Sequence, residues 1–209
     1  LAVTTIPPGL PAGTEISSFT TTDPDNGDQL RTLMLAGNSQ FDITNGKLVL
    51  KQSLGSGSFP LNTRIADWGG AYRDSNFTLN VANGPDSDSD NMDDNWEAIF
   101  GLNTSSDDAS IDTDGDGRSN LDEYVALTDP TNSDDYYQVS SLSVKGNNTT
   151  LIIESRLDRH YQLQKSTTLE ALSWTNVGSP VAGTGNSIQF SQDTSSAPRT
   201  FFRVVVTVQ

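Results

Sequence analysis

The feature that most constrains this chain is a twelve-residue pattern of oxygen-bearing side chains that occurs twice, at residues 86–97 and, 26 positions later, at residues 112–123. In each copy a carboxylate occupies positions 1, 3, 5 and 12, and position 9 carries another side-chain oxygen. Apolar residues at helical spacing follow both copies, so each pattern predicts a loop that leads into a short helix. A solvated acidic linker would not repeat this spacing.

The spacing is typical of an EF-hand loop, which encloses calcium in oxygen ligands. Alternate acidic residues on a tight turn direct their oxygens to one centre, position 12 binds through both carboxylate oxygens, and position 7 contributes its backbone carbonyl. We therefore expect two or more Ca²⁺ ions. The predicted ligands are Asp86, Asp88, Asp90, Met92, Asp94, Glu97, Asp112, Asp114, Asp116, Arg118, Asn120 and Glu123.

Position 6 of such a loop turns sharply, which suits Gly117 in the second copy. The first copy has Asn91 there, and Asn tolerates positive φ better than most other residues, so we expect a weakened but functional loop. Ser119 is the predicted N-cap of the second helix, and Gly101 is the predicted end of the first.

The repeat continues into two polar tails, in which Asn103 corresponds to Asp129 and Asp108 to Asp134. Their side chains either add ligands to the calcium sites or form ordinary turns with nearby backbone, and the sequence leaves both readings open. The residues in question are Asn103, Asp107, Asp108, Asp129, Asn132 and Asp134. Because neither repeat can bury its apolar helix face alone, we expect the two helices to pack on each other.

The acidic excess of the chain lies in this segment. The net charge is −15, and residues 86–135 contain 16 of the 27 acidic residues but one of the 12 basic residues. Such a segment repels itself until cations neutralise it, so we expect calcium binding to drive its folding. The sequence has no basic patch, which argues against a nucleic-acid partner.

Residues 112–124 read DTDGDGRSNLDEY and are followed by Thr128, Asp129 and Pro130. This run, together with the rest of residues 86–135, resembles the thrombospondin type 3 repeats of bacterial extracellular proteins. The resemblance implies a rigid, calcium-ordered connector between other modules.

The pattern of residues 1–85 predicts short strands in an all-β sandwich, with a two-residue hairpin turn at Asn45 and Gly46. Five segments resemble cadherin-like domains: 11–19, 23–28, 41–48, 66–70 and 77–81. The resemblance implies calcium ligands at a domain junction, which Asp23, Asp25 and Asp67 match. For the first two, a solvated turn is the alternative interpretation.

Strand-like alternation also runs through residues 151–153, 161–165, 187–190 and 202–208, and the last of these is predicted to be held in a sheet. Residues 161–169, 174–177 and 199–204 resemble a small terminal β-sandwich of fibronectin type III-like appearance. The sequence therefore predicts a mainly β chain, with two small β-sandwich domains joined by a calcium-binding segment that has two EF-hand-like loops and short helices. The predicted boundaries are 1–85, 86–135 and 136–209.

The chain lacks the residues and motifs that several kinds of catalytic and binding site require. The chain has no cysteine and one histidine, His160, and it contains neither a glycine-rich phosphate loop nor a nucleophile elbow. We therefore predict a non-enzymatic protein. No apolar run is long enough to cross a membrane. Loops of this kind fill in millimolar calcium, which favours an extracellular location.

Two functions remain open at this stage. The first is an extracellular module of a larger bacterial protein that calcium stiffens for adhesion or for display of a neighbouring domain, with a cell-surface protein as partner. The second is a carbohydrate-binding module of a secreted polysaccharide-degrading enzyme, in which Trp68, Tyr72 and Trp174 would stack on sugar rings. Aromatic residues in small β-sandwiches more often belong to the core.

Overall fold

A computed structural model describes residues 3–20, 31–34, 38–67, 70–195 and 199–208. The chain divides into two compact units, Leu1–Ser110 and Ile111–Gln209. In the described part of the chain, α-helix is limited to two seven-residue segments and most regular structure is β-strand, which confirms the prediction of a mainly β fold. One acidic loop lies in each unit, and the three predicted segment boundaries stay a prediction.

Within its described residues, the first unit contains two small sheets and one helix. Its elements are β1 (Thr5–Ile6), β2 (Glu15–Ser18), β3 (Arg31–Met34), β4 (Phe41–Thr44), β5 (Lys47–Leu50), β6 (Gly57–Ala66), β7 (Tyr72–Val81) and α1 (Asp94–Phe100). One sheet has the order β1-β7-β6-β3, in which β1 runs parallel to β7, and the other has the order β2-β5-β4.

The hairpin between β4 and β5 forms as the sequence predicts. Asn45 and Gly46 have φ values of 51° and 77°, and the flanking strands pair antiparallel with Thr44 opposite Lys47. Two consecutive positive φ angles match the twist of antiparallel strands, which is why this pair of residues is favoured in such turns.

Alternating apolar residues of these strands form the core of the first unit. Leu48 and Leu50 on β5 are buried, as are Leu61 on β6 and Leu79 on β7. The two sheets meet where the Phe41 and Phe59 rings contact edge to face. This arrangement supports α1, which lies against β1 and β2.

The second unit has one α-helix and seven strands within its described residues, besides a short 3₁₀-helix at Ala171–Ser173. The α-helix and the strands are α2 (Asn120–Ala126), β8 (Val139–Lys145), β9 (Asn148–Glu154), β10 (Arg159–Ser166), β11 (Thr175–Asn176), β12 (Val181–Ala182), β13 (Ser187–Asp193) and β14 (Phe201–Val208). One sheet has the order β13-β9-β8. In the other, β10 pairs with β14 on one side and with β11 and β12 in turn, so the last strand is held in a sheet as predicted.

Residues of both sheets form the core of the second unit. Leu151 and Ile153 of β9 are buried with Tyr161 and Leu163 of β10, and Phe190 of β13 joins the same cluster. The alternation that predicted these strands therefore reports their buried faces correctly. The helix α2 lies against β14.

The helices are covered by strands, and the expectation that they pack on each other stays a prediction. Each lies against strands of its own unit, because a seven-residue helix offers one or two large apolar side chains and a sheet accommodates these readily. Trp96 of α1 and Leu127, directly after α2, are both fully buried. Neither described helix is long and apolar enough to cross a membrane.

Candidate metal centre

The backbone of the first acidic loop is shaped by two left-handed residues and a capped helix. Ser89 and Asn91, at positions 4 and 6, have φ values of 65° and 72°. The helix α1 starts at position 9, where the Asp93 side chain caps it by accepting from the Asn95 N–H at 2.8 Å. Glu97 therefore projects from the first turn of this helix, as the loop pattern predicts.

Two groups of carboxylates converge in this loop. Oxygens of Asp86, Asp88 and Asp90 lie within 4.8 Å of one another, and oxygens of Asp90, Glu97 and Asp108 form a second group with the same limit. Asp90 belongs to both groups. The structure thus brings together four of the predicted ligands and adds one tail residue, Asp108.

Backbone N–H groups hold these carboxylates in place. Asp86 accepts from the N–H groups of Asp90 and Asn91 at 3.2 and 3.1 Å, and Asp90 accepts from the Met92 N–H at 2.9 Å. Such bonds fix the orientation of a ligand while leaving lone pairs available for a cation.

Glu97 is the least solvated carboxylate of the first loop. It is fully buried, and neither of its oxygens has a hydrogen-bond partner in the described part of the chain. Burial raises the pKa of Glu97 to about 7, and the negative charges of Asp90, Asp88, Asp108 and Asp94 add to this shift. A buried carboxylate is costly unless it is paired or coordinates a metal. A cation bound to this group would supply the missing counter-charge.

The second loop has glycine at the turning positions and, among the described residues, a single carboxylate group, which does not include Glu123. Gly115 and Gly117 have φ values of 82° and 93°, and both N–H groups donate to Asp112, at 2.7 and 2.9 Å. Oxygens of Asp112, Asp114 and Asp116 lie within 4.8 Å of one another. As predicted, Ser119 caps α2, accepting from the Asp122 N–H at 3.2 Å.

Glu123 occupies position 12 of the second loop and is also buried. One of its oxygens accepts from the Thr128 hydroxyl at 3.1 Å, whereas the other is buried with no partner among the described residues. Burial raises the pKa of Glu123 to about 7; the bond from Thr128 acts in the opposite direction. The second loop therefore also contains a buried carboxylate without a counter-charge in the described part of the chain, although the Thr128 hydroxyl satisfies one of its oxygens.

The position 9 residues have a different environment. Asp94 accepts from the Ser87 hydroxyl at 2.6 Å, and Asn120 accepts from the Thr113 hydroxyl at 2.8 Å. Position 2 thus holds position 9 in both loops, and Asp94 does not lie in either carboxylate group. The ligand roles of Asp94 and Asn120, and of the Met92 and Arg118 carbonyls, stay predictions.

The tail residues that the sequence left open have two kinds of surroundings. Asp108 joins the first carboxylate group, while four other tail residues accept from the backbone N–H two positions further on, as in ordinary turns. These four are Asn103, Asp107, Asp129 and Asn132.

The constant 26-residue offset does not hold at the end of the tails. Asp108 accepts from the Asn103 N–H at 3.1 Å, and the matching bond in the second tail runs from the Asp129 N–H to Asp135, also at 3.1 Å. Asp135, rather than Asp134, is therefore the structural counterpart of Asp108. One extra residue in the second tail explains why the sequence offset misassigned it.

The residues suggested for other roles lie elsewhere. Asp67 accepts from the Ala71 N–H at 2.8 Å, and Asp23, Asp25 and Trp68 lie outside the described residues. One face of the Tyr72 ring is covered by Arg64 at 3.8 Å from the ring centroid. Similarly, Arg203 covers Trp174 at 4.5 Å. Arginine therefore already occupies one stacking face of each of these two aromatic rings.

Comparison with known proteins assigns no family. No family model and no curated protein match the chain. Solved structures that match include the secreted serine protease VesC from Vibrio cholerae, with a TM-score of 0.22 and 8% identity. The alignment covers 98% of this chain and 44% of the protease chain, so this chain spans less than half of the protease.

The prediction of a non-enzymatic chain is corrected at this point, because the matched structure is that of an enzyme. At a TM-score of 0.22 and 8% identity the likeness assigns neither a fold nor an activity to this chain. The function is therefore argued from the residues of the two loops.

The left-handed turns yield a prediction about loop strain. Gly117→Ala should destabilise the protein by about 1–2 kcal/mol, because a Cβ is disfavoured at positive φ even where space is open. Asn91→Gly should be neutral or stabilising by up to about 1 kcal/mol. Urea unfolding measures both changes. Gly55→Ala is the matched control, since Gly55 also has open space but lacks a positive φ; an equal loss there would contradict the strain explanation.

The buried glutamates yield a prediction about pH. In the folded protein without cations, the pKa of Glu97 and that of Glu123 are about 7, above the value near 4.3 of an unfolded chain. The folded state therefore binds more protons between these values, and its stability should rise as the pH falls from 8 to 5.5.

Thermal melts in cation-free buffer measure this effect. The melting temperature should be several degrees higher at pH 5.5 than at pH 8, and the double variant Glu97→Gln/Glu123→Gln should lose most of the difference. A melting temperature that falls on acidification would show that these carboxyls are not buried without a counter-charge.

Proposed function

We propose that this chain is an extracellular calcium-binding module in which calcium folds and stiffens the acidic segment between two small β-sandwich domains. The module would serve adhesion or the display of a neighbouring domain in a larger secreted or surface protein. The resemblance to thrombospondin type 3 repeats supports this proposal, as do the cadherin-like and fibronectin type III-like resemblances on either side.

One observation carries the proposal. Glu97 and Glu123 stand at position 12 of their loops, both are buried, and each has at least one oxygen with no partner among the described residues. Each also lies among other carboxylates that raise its pKa. Sequence spacing and structure thus converge on the same two side chains, and a bound cation resolves the cost of burying them.

The donor set favours calcium over other cations. The grouped ligands are carboxylates, which are hard oxygen donors, and the chain has no cysteine for a soft metal. Calcium accepts six to eight oxygens in flexible geometry, whereas magnesium demands a strict octahedron and keeps several waters. EF-hand-like loops with several carboxylates each are better suited to calcium.

The first loop has the features of more than one cation position. Its two carboxylate groups share Asp90, and a bridging carboxylate reduces the repulsion between neighbouring cations. Asp108 comes from beyond α1, so binding at the second position would also fasten the tail to the loop. We therefore propose two or more Ca²⁺ positions, at least one in each loop, and the second carboxylate group of the first loop is the candidate for a further ion.

Calorimetric titration tests calcium binding directly. We expect two or more ions per chain, with a rise in melting temperature of about 10–20 °C when free calcium exceeds Kd about 100-fold. Glu97→Gln should remove binding in the first loop alone, and Glu123→Gln in the second alone. Glu170→Gln makes the same change at an exposed carboxylate and should leave the titration unchanged. An unaltered titration in both loop variants would sink the proposal.

Trypsin cleavage tests the calcium-dependent order of the segment. Arg118 is the sole basic residue within residues 86–135, so cleavage there reports on this segment specifically. We expect chelation to accelerate cleavage at Arg118 by at least about tenfold, because local opening then exposes the backbone. Cleavage after Lys145, in a strand of the second unit, serves as the internal comparison. Equal rates at Arg118 with and without calcium would mean that the ion does not order the connector.

A further inference from the structure

Arg159, the first residue of β10, makes an unusual set of contacts for a buried arginine. Its side chain is 3% exposed. Nε donates to the Val125 carbonyl at 2.7 Å, Nη2 donates to the Tyr124 carbonyl at 2.7 Å, and Nη1 donates to the Asp158 carbonyl at 3.1 Å. The guanidinium carbon also lies 5.4 Å from the centroid of the Tyr124 ring.

These contacts place a positive charge at the C-terminal end of α2. The last carbonyls of a helix lack intrahelical partners, and a basic side chain there satisfies them and interacts favourably with the helix dipole. The ion pairs found among the described residues are Lys47–Glu15 and Arg64–Asp74. Within that part of the chain, therefore, carbonyl groups rather than a carboxylate solvate the Arg159 charge.

The same helical turn connects this contact to the acidic loop. Glu123, at position 12 of the second loop, directly precedes Tyr124, and the Tyr124 carbonyl accepts from Arg159. Through Glu123, a cation in the loop would fix the start of α2. Through the Tyr124 and Val125 carbonyls, Arg159 fixes its end to β10. Neither contact alone holds a seven-residue helix, because isolated helices of this length are unstable.

Both helices end with the same local cap. Gly101 adopts a φ of 74° after α1 and Leu127 a φ of 57° after α2. The Leu102 N–H donates to the Glu97 carbonyl at 2.9 Å, and the Thr128 N–H donates to the Glu123 carbonyl at 3.1 Å. Within the described residues, the long-range arginine contact is added to this local cap at α2 and not at α1, which makes the first loop an internal control.

We infer that Arg159 is a positioning residue for the second loop, through which calcium binding and the β10–β14 sheet stabilise each other. The inference rests on the proposed function, since it requires calcium in that loop. By linkage, loss of the arginine contacts must weaken calcium binding as much as calcium strengthens those contacts. A coupling free energy of ordinary size between two sites corresponds to a loss of about tenfold in calcium affinity.

Calcium titration of the ¹⁵N-labelled full chain by NMR tests the inference site by site. The amides of Gly115 and Gly117 report the second loop, and those of Ser89 and Asn91 report the first. In Arg159→Met, apparent Kd should rise about tenfold at the glycine amides and stay unchanged in the first loop. Lys165→Met removes a charge from the exposed face of the same strand and should change neither Kd.

Arg159→Lys is a second test variant, which keeps the inference testable if Arg159→Met fails to fold. Lysine keeps the charge but cannot span both carbonyls, so it should give an intermediate Kd in the second loop. In the wild type, calcium should also slow hydrogen exchange of β10 amides, and Asp114→Asn should abolish that effect.

The outcomes separate the two proposals. An unchanged Kd at Gly115 and Gly117 in both Arg159 variants would overturn the positioning role while leaving calcium binding intact. Absence of calcium shifts in the wild type would overturn the proposed function, and the positioning role with it. If Arg159→Met unfolds, an unchanged second-loop Kd in Arg159→Lys together with no effect of calcium on β10 exchange would likewise overturn the inference.

Discussion

The burial of two glutamate carboxylates is the constraint on which the acidic segment depends. Glu97 and Glu123 project from the first turns of α1 and α2 into clusters of like charge, and neither is fully satisfied by the described residues. Solvation by water is lost on burial, and repulsion increases the cost. A structure of this kind is stable when a cation balances the charge or when the carboxyls take up protons. Metal binding and folding of the segment are therefore one process in our proposal.

Short helices make this dependence stronger. Each has seven residues, too few for stability from backbone bonds alone. Each is capped at its start, α1 by the Asp93 carboxylate and α2 by the Ser119 hydroxyl. Each also packs on its own unit, through Trp96 in one case and through Arg159 and Leu127 in the other. A cation in either loop would thus act on a neighbouring sheet and not only on the loop itself.

Local features of the fold were predictable from the sequence, and long-range ones were not. The turn at Asn45 and Gly46, the Ser119 cap and the convergence of alternate Asp residues each depend on residues within a few positions. Arg159 escaped prediction because its partner Tyr124 lies 35 positions away, and for Asp108, whose partner Asp90 lies 18 positions away, the sequence left a ligand role and an ordinary turn open. The spacing of residues around Arg159 in the sequence does not indicate that this side chain will bind the carbonyl groups at the end of a helix. The pairing of each helix with strands of its own unit is equally non-local.

The two loops also show how strain and electrostatics oppose each other. Left-handed Ser89 and Asn91 make the first loop harder to form than the glycine-turned second loop, by about 1 kcal/mol per residue. Against this, Glu97 lacks the hydroxyl bond that Thr128 gives to Glu123, and Asp108 adds one more negative charge. The cation-free first loop is therefore the less stable of the two, and a divalent ion relieves more repulsion there. Ligand charge count is one of the factors that set calcium affinity, so under our proposal the loop with the poorer turn sequence gains more from calcium.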